Sequence, residues 1–369
     1  MSAAGGRPVA VHQFIATLNP HDATGTHALK LREALRAAGW RSEIFAEAIH
    51  DDLAAEAYKH WMYPEHAAPG DVAVYQFTTS SAVAGYLAEH GLPLILDFHN
   101  FTGPEYFAGW EPQSVRRAEA AGEELAQLAP RARLGMAKSP FSEDMLRRAG
   151  CRRTTVVPVL ADYGRVTATP DPRVAAELAR QRAAGGADIL FVGRVVPSKA
   201  QHELVKALWA YRRLYDPRAR LHLVGGTSSY EYTKSLQGFV ADLGLSEAVR
   251  VTGEVSDAAL AAYFEAADVY LSLSAHEGFG VPLVEAMVAG IPVVTRGAGA
   301  VADTVADAAL VLAAADPSYI AAALHRACTD DRLRRALHEA GTRRAREIVA
   351  GAGPRIVDAI AHAVESDAA

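Results

Sequence analysis

The residues with the densest chemistry lie in Ser274–Thr295, SAHEGFGVPLVEAMVAGIPVVT. Gly278 and Gly280 flank Phe279, and Pro282 follows Val281 where a helix can begin, because proline suits the first helical position, which needs no backbone donor. Such a loop aims free N–H groups and the positive end of a helix at one point, which suits an anion such as a diphosphate. Glu277 falls on the loop and Glu285 about one turn inside the helix, so the two carboxylates reach different parts of one extended ligand. Arg194 and Lys199 form a second charged group in GRVVPSKA, Gly193–Ala200, just past an apolar run. Two fixed cations there could neutralise a departing nucleotide diphosphate without a metal. In the first half of the chain, Asp97-Phe98-His99-Asn100 follows the apolar run Leu92–Leu96, which sets His99 at a strand end.

These residues must be positioned by an alternation of short β-branched runs and longer helical patterns, the signature of parallel sheets wrapped by helices. The first half predicts strands at Val9–Ala16, Ser42–Phe45, Val72–Phe77, Leu94–Phe98, Leu134–Ala137 and Thr154–Val157, with helices at His27–Ala38 and Phe141–Ala149. The strand signal lapses from about Pro158 to Gly186, where Pro170, Pro172, Gly185 and Gly186 bracket a polar helix-like stretch, and the interdomain linker is placed there. A second alternation follows. Its strands are Ile189–Val192, Leu221–Val224, Val249–Thr252, Val269–Leu273 and Pro292–Thr295. Its helices are Gln201–Tyr215, Glu231–Leu243, Asp257–Ala266 and Pro282–Ala289, with further helices from Pro317 onward. The expected fold class is α/β, with two doubly wound Rossmann-like domains facing a cleft. The expected boundaries are 1–165, a linker at 166–186, 187–350, and a C-terminal helix at 351–369 that could pack back on the first domain.

Length and composition agree with that division. A chain of 369 residues exceeds the size at which one core keeps growing, and half of it is apolar. The net charge of −6 comes with no basic face, which disfavours nucleic acid as a partner. Cys151 and Cys328 lack metal-ligand spacing and are too few for a disulfide framework, so a cytoplasmic, reducing setting is expected. The run near Val9 is too broken for a signal peptide and reads as a buried strand. No apolar stretch is long enough for a spanning helix, which leaves peripheral contact with a membrane surface open. The loop Thr17–His27 has one glycine, Gly25, and no G-x-G-x-x-G, which disfavours a nicotinamide dehydrogenase. Ser198 and Ala200 stand where a phosphate loop needs its second glycine and its Ser/Thr, which disfavours a Walker-type NTPase.

The second domain resembles that of the family 4 retaining glycosyltransferases, whose E-x7-E signature is embedded in E-G-F-G-x-P-x-x-E-A-M-x-x-G-x-P-V-V. Glu277, Gly278, Phe279, Gly280, Pro282, Glu285, Ala286, Met287, Gly290, Pro292, Val293 and Val294 meet it. The family's G-R-x-x-x-x-K is met by Gly193, Arg194 and Lys199, and Gly253-Glu254-Val255-Ser256 resembles its base-binding loop. In the first domain the resemblance is confined to Gly25, His99 and Ser139-Pro140-Phe141-Ser142. The chain departs at Ala200 and at Thr24-Gly25, where the family often has a glycine after the lysine and two glycines in the first loop.

The resemblance implies the GT-B architecture and a UDP-, GDP- or ADP-sugar as donor. Arg194 and Lys199 would hold the diphosphate, Glu285 the ribose hydroxyls, and Glu277 and His99 the transferred sugar. Gly25, Gly193, Val255, Gly278, Phe279, Gly280 and Val281 would complete the donor site. No metal and no further cofactor is expected. Phe101, Tyr106, Phe107 and Trp110, in a segment punctuated by Gly103, Pro104 and Gly109, are candidates for stacking on an acceptor, whether glycan, small molecule or lipid headgroup. Competing readings are a nucleotide-sugar 2-epimerase of the same architecture and a catalytically silent nucleotide-sugar-binding module. Glycoside hydrolysis by Glu277 and Glu285 fails, because nothing raises the pKa of one of them across a glycosidic bond.

Overall fold

The computed structural model describes residues 10–20 and 22–365. The expected strand start at Val9 and the end of the expected C-terminal helix lie outside them. The chain divides into two compact units. Unit 1 comprises the described residues of Met1–Pro104, Gln113–Ala161 and Val349–Ala369; unit 2 comprises Glu105–Pro112 and Asp162–Ile348.

Unit 1 is built on strands β1 (Val11–Leu18), β2 (Ile44–Ile49), β3 (Tyr58–Lys59), β4 (Val72–Phe77), β5 (Leu94–Phe98), β6 (Leu134–Ala137) and β7 (Thr154–Val156). All pair in parallel, in the order β3-β2-β1-β4-β5-β6-β7. Helices α1 (Ala23–Ala37), α2 (Ala82–His90), α3 (Pro112–Leu128) and α4 (Pro140–Arg148) connect them. Alternation along β4 shows why the sheet is covered on both faces. Ala73, Tyr75 and Phe77 join a core with Val83 and Leu87 of α2, Leu125 of α3 and Leu146 of α4. Val72 and Val74 join the opposite core with Leu31 and Leu35 of α1.

Unit 2 carries β8 (Asp188–Val192), β9 (Arg220–Val224), β10 (Val249–Gly253), β11 (Val269–Ser272), β12 (Val293–Arg296) and β13 (Ala309–Leu312), again all parallel, in the order β10-β9-β8-β11-β12-β13. Its helices are α5 (Pro172–Ala183), α6 (Gln201–Leu214), α7 (Tyr230–Asp242), α8 (Asp257–Ala266), α9 (Val281–Val288), α10 (Val301–Val305), α11 (Pro317–Thr329) and α12 (Asp331–Val349). Ile189, Phe191, Leu221, Leu223, Val269 and Leu271 pack against Leu204 and Leu208 of α6 and Ile320 and Leu324 of α11. The last helix, α13 (Ala352–Glu365), belongs to unit 1, where Ile356 and Ile360 share the α1 core.

The structure corrects the linker. Residues 166–186 do not form a connector, because Asp171 caps α5 through the N–H groups of Arg173 and Val174, and Leu178 of α5 is buried in unit 2. The chain passes from unit 1 to unit 2 at Ala161, and it makes an earlier excursion at Glu105–Pro112. Strand β2 runs four residues beyond its expected end, and β3, β13, α2, α3 and α10 were not anticipated. No helix among the described residues is long and apolar enough to cross a membrane.

Candidate functional site

In a doubly wound sheet, loops from two strands diverge at the point where strand order reverses, and ligands bind there beyond the carboxyl ends. In unit 2 that point lies between β8 and β11. The loop after β8 contains Gly193, Arg194 and Lys199, and the loop after β11 contains Glu277 to Gly280. Two contacts tie the loops together: the Ala275 N–H donates to the Ser198 carbonyl at 2.8 Å, and Lys199 Nζ donates to Glu277 Oε1 at 2.6 Å. Glu277 is 12% exposed and Lys199 24%, so the pair is accessible from outside while held by its loops. Arg194 is exposed, with its carbonyl accepting from Gln201 Nε2 at 2.8 Å. Ala200 adopts φ +50°, so alanine retains the left-handed turn for which glycine is the easier residue.

Helix α9 starts where Gly280, at φ +87°, turns the chain, and Pro282 occupies its first turn. The loop is braced from below. Thr304 Oγ1 donates to the Phe279 carbonyl at 2.6 Å and the Ala300 N–H to the Glu277 carbonyl at 2.9 Å. Glu285, within α9, is 1% exposed. Arg165, from the short turn Tyr163–Thr167, donates its Nε to Glu285 Oε1 at 2.7 Å and pairs a terminal nitrogen with the same oxygen at 2.7 Å, while Oε2 is buried without a hydrogen-bond partner. Burial pushes the Glu285 carboxyl up, against the opposing pull of Arg165, which corrects the premise that nothing raises either glutamate; the raised group is the one bound to Arg165 through Oε1. Val255, half-buried, lies on the loop after β10, two residues past Gly253 at the end of that strand.

The aromatic candidates separate. Phe101 packs in the unit 1 core, 6.3 Å from the rings of Phe77 and Phe98. Tyr106, Phe107 and Trp110 belong to unit 2. There the Tyr106 hydroxyl donates to the Ala275 carbonyl at 3.2 Å and Trp110 meets Tyr232 edge-on at 5.2 Å. Tyr106 therefore buttresses the loop that leads to Glu277. Phe107 holds the segment's turn, its carbonyl accepting from the Trp110 and Glu111 N–H groups at 3.0 Å.

In unit 1, Gly25 is buried in the first turn of α1, and a Cβ there would collide with the Asn19 carbonyl oxygen, so close backbone approach requires the glycine. His99 is turned inward rather than standing free at the strand end, with its side chain only 7% exposed. It belongs to a buried polar network. On the sheet face covered by α1, the apolar rows of β4 and β5 end in Gln76 and Asp97, Lys138 follows directly after β6, and Gln13 interrupts the apolar row of β1 between Val11 and Ile15; all four polar residues are buried. Lys138 Nζ pairs with Asp97 Oδ1, His27 of α1 approaches Asp97 Oδ2 at 2.8 Å, and His99 Nε2 lies 3.8 Å from the same oxygen. The Leu160 N–H donates to His27 Nδ1 at 2.9 Å, so His27 is neutral with its hydrogen on Nε2, donated to Asp97.

Burial opposes ionisation of Asp97, but Lys138 and His27 hold its carboxyl well below the usual range. Burial, helped by Lys138, lowers His27 to about 4 and pushes His99 well below its ordinary value. His27, Asp97 and His99 each offer a ligand atom within 4.8 Å of the others, yet the cation that neutralises the group is the Lys138 ammonium.

Arg165, His27 and Lys138 escaped the sequence reading. Arg165 lies in a stretch with no motif. The Asp inside the apolar run Leu94–Phe98 was a usable signal, because a buried carboxylate demands a buried cation.

Residues 178–344 match the family described as Glycosyl transferases group 1. The chain is 32% identical over 280 residues to the D-inositol 3-phosphate glycosyltransferase of Geodermatophilus obscurus, spanning 72% of this chain and 60% of that protein. It is 31% identical over 230 residues to a GDP-mannose-dependent alpha-(1-6)-phosphatidylinositol monomannoside mannosyltransferase of Mycobacterium tuberculosis, spanning 50% and 58% respectively. The chain thus spans about three fifths of the length of these two relatives. Among solved structures, sucrose-phosphate synthase from Thermosynechococcus elongatus superposes with a TM-score of 0.77 at 20% identity, over 97% of this chain and 100% of that one. The chain has the GT-B fold, and its unit 2 carries the match to the group 1 glycosyl transferases.

Proposed function

We propose that the protein is a retaining glycosyltransferase of the family 4 type, moving a hexosyl-type sugar from a nucleotide-sugar donor to an acceptor hydroxyl without a bound metal. The carrying observation is the Lys199–Glu277 pair at the β8/β11 reversal, beside the start of α9. Lys199 spends one N–H on Glu277 and has two left for diphosphate oxygens. Arg194 and the α9 N-terminus add positive potential, so the charge on the leaving group is met by fixed donors. In the transfer, the bond from the anomeric carbon to the diphosphate oxygen breaks with its electron pair staying on the diphosphate. The acceptor oxygen bonds to that carbon on the same face, and its proton passes to the diphosphate oxygen.

Glu277 faces the sugar in this reading, Glu285 Oε2 accepts from the ribose, and Val255 flanks the base. His99 contributes a contact to the transferred sugar. The group 1 match and the GDP-mannose dependence in one relative's name support a nucleotide-sugar donor. The test is an assay of UDP-, GDP- and ADP-sugars with and without acceptor, repeated in excess EDTA. Acceptor-dependent release of nucleoside diphosphate that survives EDTA is expected. Donor conversion without acceptor would mark an epimerase, and inhibition restored by added metal would overturn the metal-free step.

A further inference from the structure

We infer that Gln13 and Gln76 are positioning residues that set the tautomer of His99, leaving its Nδ1 as a hydrogen-bond acceptor for a substrate hydroxyl. The argument starts at a group with one role. The Ala28 carbonyl can only accept, so Gln13 must present its amide nitrogen there, at 2.9 Å. The Gln13 oxygen then faces Gln76, which must answer with its own nitrogen, also at 2.9 Å. The Gln76 oxygen is left to meet His99 Nε2 at 2.6 Å, and two acceptors cannot face each other at that distance, so Nε2 carries hydrogen.

Reversing the chain would set the Gln13 oxygen against a backbone carbonyl inside the core, where both glutamines are fully buried. Register supports the relay. Gln13 and Gln76 lie on neighbouring strands, with Gln13 opposite Val74 and Gln76 opposite Ile15, so a diagonal step joins them. Gln76 in turn lies opposite Asp97 on β5.

His99 faces Lys138, Asp97 and His27, and burial with the Lys138 charge keeps its ring neutral. A neutral imidazole with hydrogen on Nε2 has its lone pair on Nδ1. Such an atom takes a hydrogen from a hydroxyl and repels a carboxylate or phosphate oxygen. The ligand group it recognises is therefore a hydrogen donor and not an anion, and under the proposed function that donor is a hydroxyl. That this hydroxyl belongs to a sugar rests on the proposed function; the tautomer does not.

Histidine tautomers are read directly by long-range proton–nitrogen correlation spectra of protein labelled with nitrogen-15 histidine, the His99 signals being those lost in His99→Gln. The wild-type protein should show His99 with Nε2 protonated and Nδ1 bare at neutral pH. Gln13→Leu, which does not touch His99, releases Gln76 to turn its amide nitrogen toward the ring. The tautomer should then shift toward hydrogen on Nδ1, whereas a merely structural glutamine would lower the melting temperature and leave the tautomer alone. Hydrogen on Nδ1 in the wild type, or an unchanged tautomer in a folded Gln13→Leu protein, overturns the relay. If Gln13→Leu does not fold, the wild-type spectrum decides by itself. UDP-glucose or GDP-mannose should move the Nδ1 resonance where UDP or GDP does not; a still resonance with either sugar nucleotide bound by calorimetry overturns the hydroxyl role. Failure of both to bind would be a failure of the proposed function, with the tautomer result still deciding the relay.

Discussion

Arg165 grips a single oxygen of Glu285, its Nε donating to Oε1 at 2.7 Å and a terminal nitrogen pairing with the same atom at 2.7 Å, and leaves Oε2 buried without a hydrogen-bond partner. Burial raises the Glu285 carboxyl, and Asp257 and Asp162 push the same way, so Arg165 is the group that favours its ionised form. Arg165→Met should weaken UDP or GDP binding about 10- to 100-fold, the worth of a hydrogen bond to a charged group. The sign with pH is fixed: binding that needs the carboxylate is complete above its pKa and lost as pH falls through it. The variant should move that loss to higher pH. Calorimetry with the 2′-deoxy nucleotide is the control, and an equal loss for ribo and deoxy forms would count against the ribose contact.

The two glutamates should differ in kinetics because Glu285 is set inside α9 whereas Glu277 lies on the loop before it. Glu285→Gln should chiefly raise the donor KM and weaken free nucleotide binding, since the ribose does not change during reaction. Glu277→Gln should chiefly lower kcat, because the sugar gains positive charge as the diphosphate leaves. Steady-state kinetics on both variants, beside calorimetry with the nucleoside diphosphate, separates them. Loss of nucleotide binding in Glu277→Gln with retention in Glu285→Gln would reverse the roles.

Lys199→Ala should cut kcat/KM by about 10²-fold or more, typical of one lost charge-stabilising donor. The fold should survive, because the Ala275 to Ser198 bond still ties the two loops. Circular dichroism and the donor assay together check this, and a folded, fully active variant would move the diphosphate site elsewhere.

The parallel sheets were legible because apolar runs at Val72–Phe77, Leu94–Phe98 and Leu134–Ala137 are buried on both faces and match their strands to the residue. Strand β3, two residues long, carries too little pattern to be read. The loops after β8 and β11 were legible through glycine and proline, which punctuate local backbone. Arg165 and Lys138 were not, since each acquires its meaning from a partner far along the chain, Glu285 and Asp97. The helical character of the stretch around α5 was legible but its membership of unit 2 was not, because a polar helix bracketed by prolines and glycines fits a connector equally well, and only burial of Leu178 distinguishes them.

Lys138 and Asp97 are both fully buried and paired. Lys138→Met alone should destabilise the protein by about 3–5 kcal/mol, because it strands a buried carboxylate, whereas the double variant Lys138→Met with Asp97→Leu should recover much of that loss. Urea unfolding of the two single variants and the double variant closes the cycle. Additive losses would mean that the two groups do not depend on each other.

His27 gives the last prediction, with its sign set by burial. The folded protein holds the ring neutral, its Nδ1 accepting from the Leu160 N–H and its Nε2 donating to Asp97. Its folded pKa is lowered to about 4 from an ordinary value of 6.5. A base whose pKa is depressed on folding stabilises fully above the unfolded value, and that stability is lost as pH falls toward the folded one, because the unfolded chain takes up the proton first. The window is therefore pH 6.5 down to about 4, and the loss attributable to this one ring is about 3 kcal/mol. His12 and His99 are also pushed down by burial and slope the same way, so substitution at His27 subtracts from the slope without abolishing it. His27→Gln should be less stable than the wild type at neutral pH, and the gap should narrow by that amount across the window. Urea unfolding of both proteins at several pH values measures the gap directly, and a gap that stays constant would show that His27 is not a buried neutral histidine.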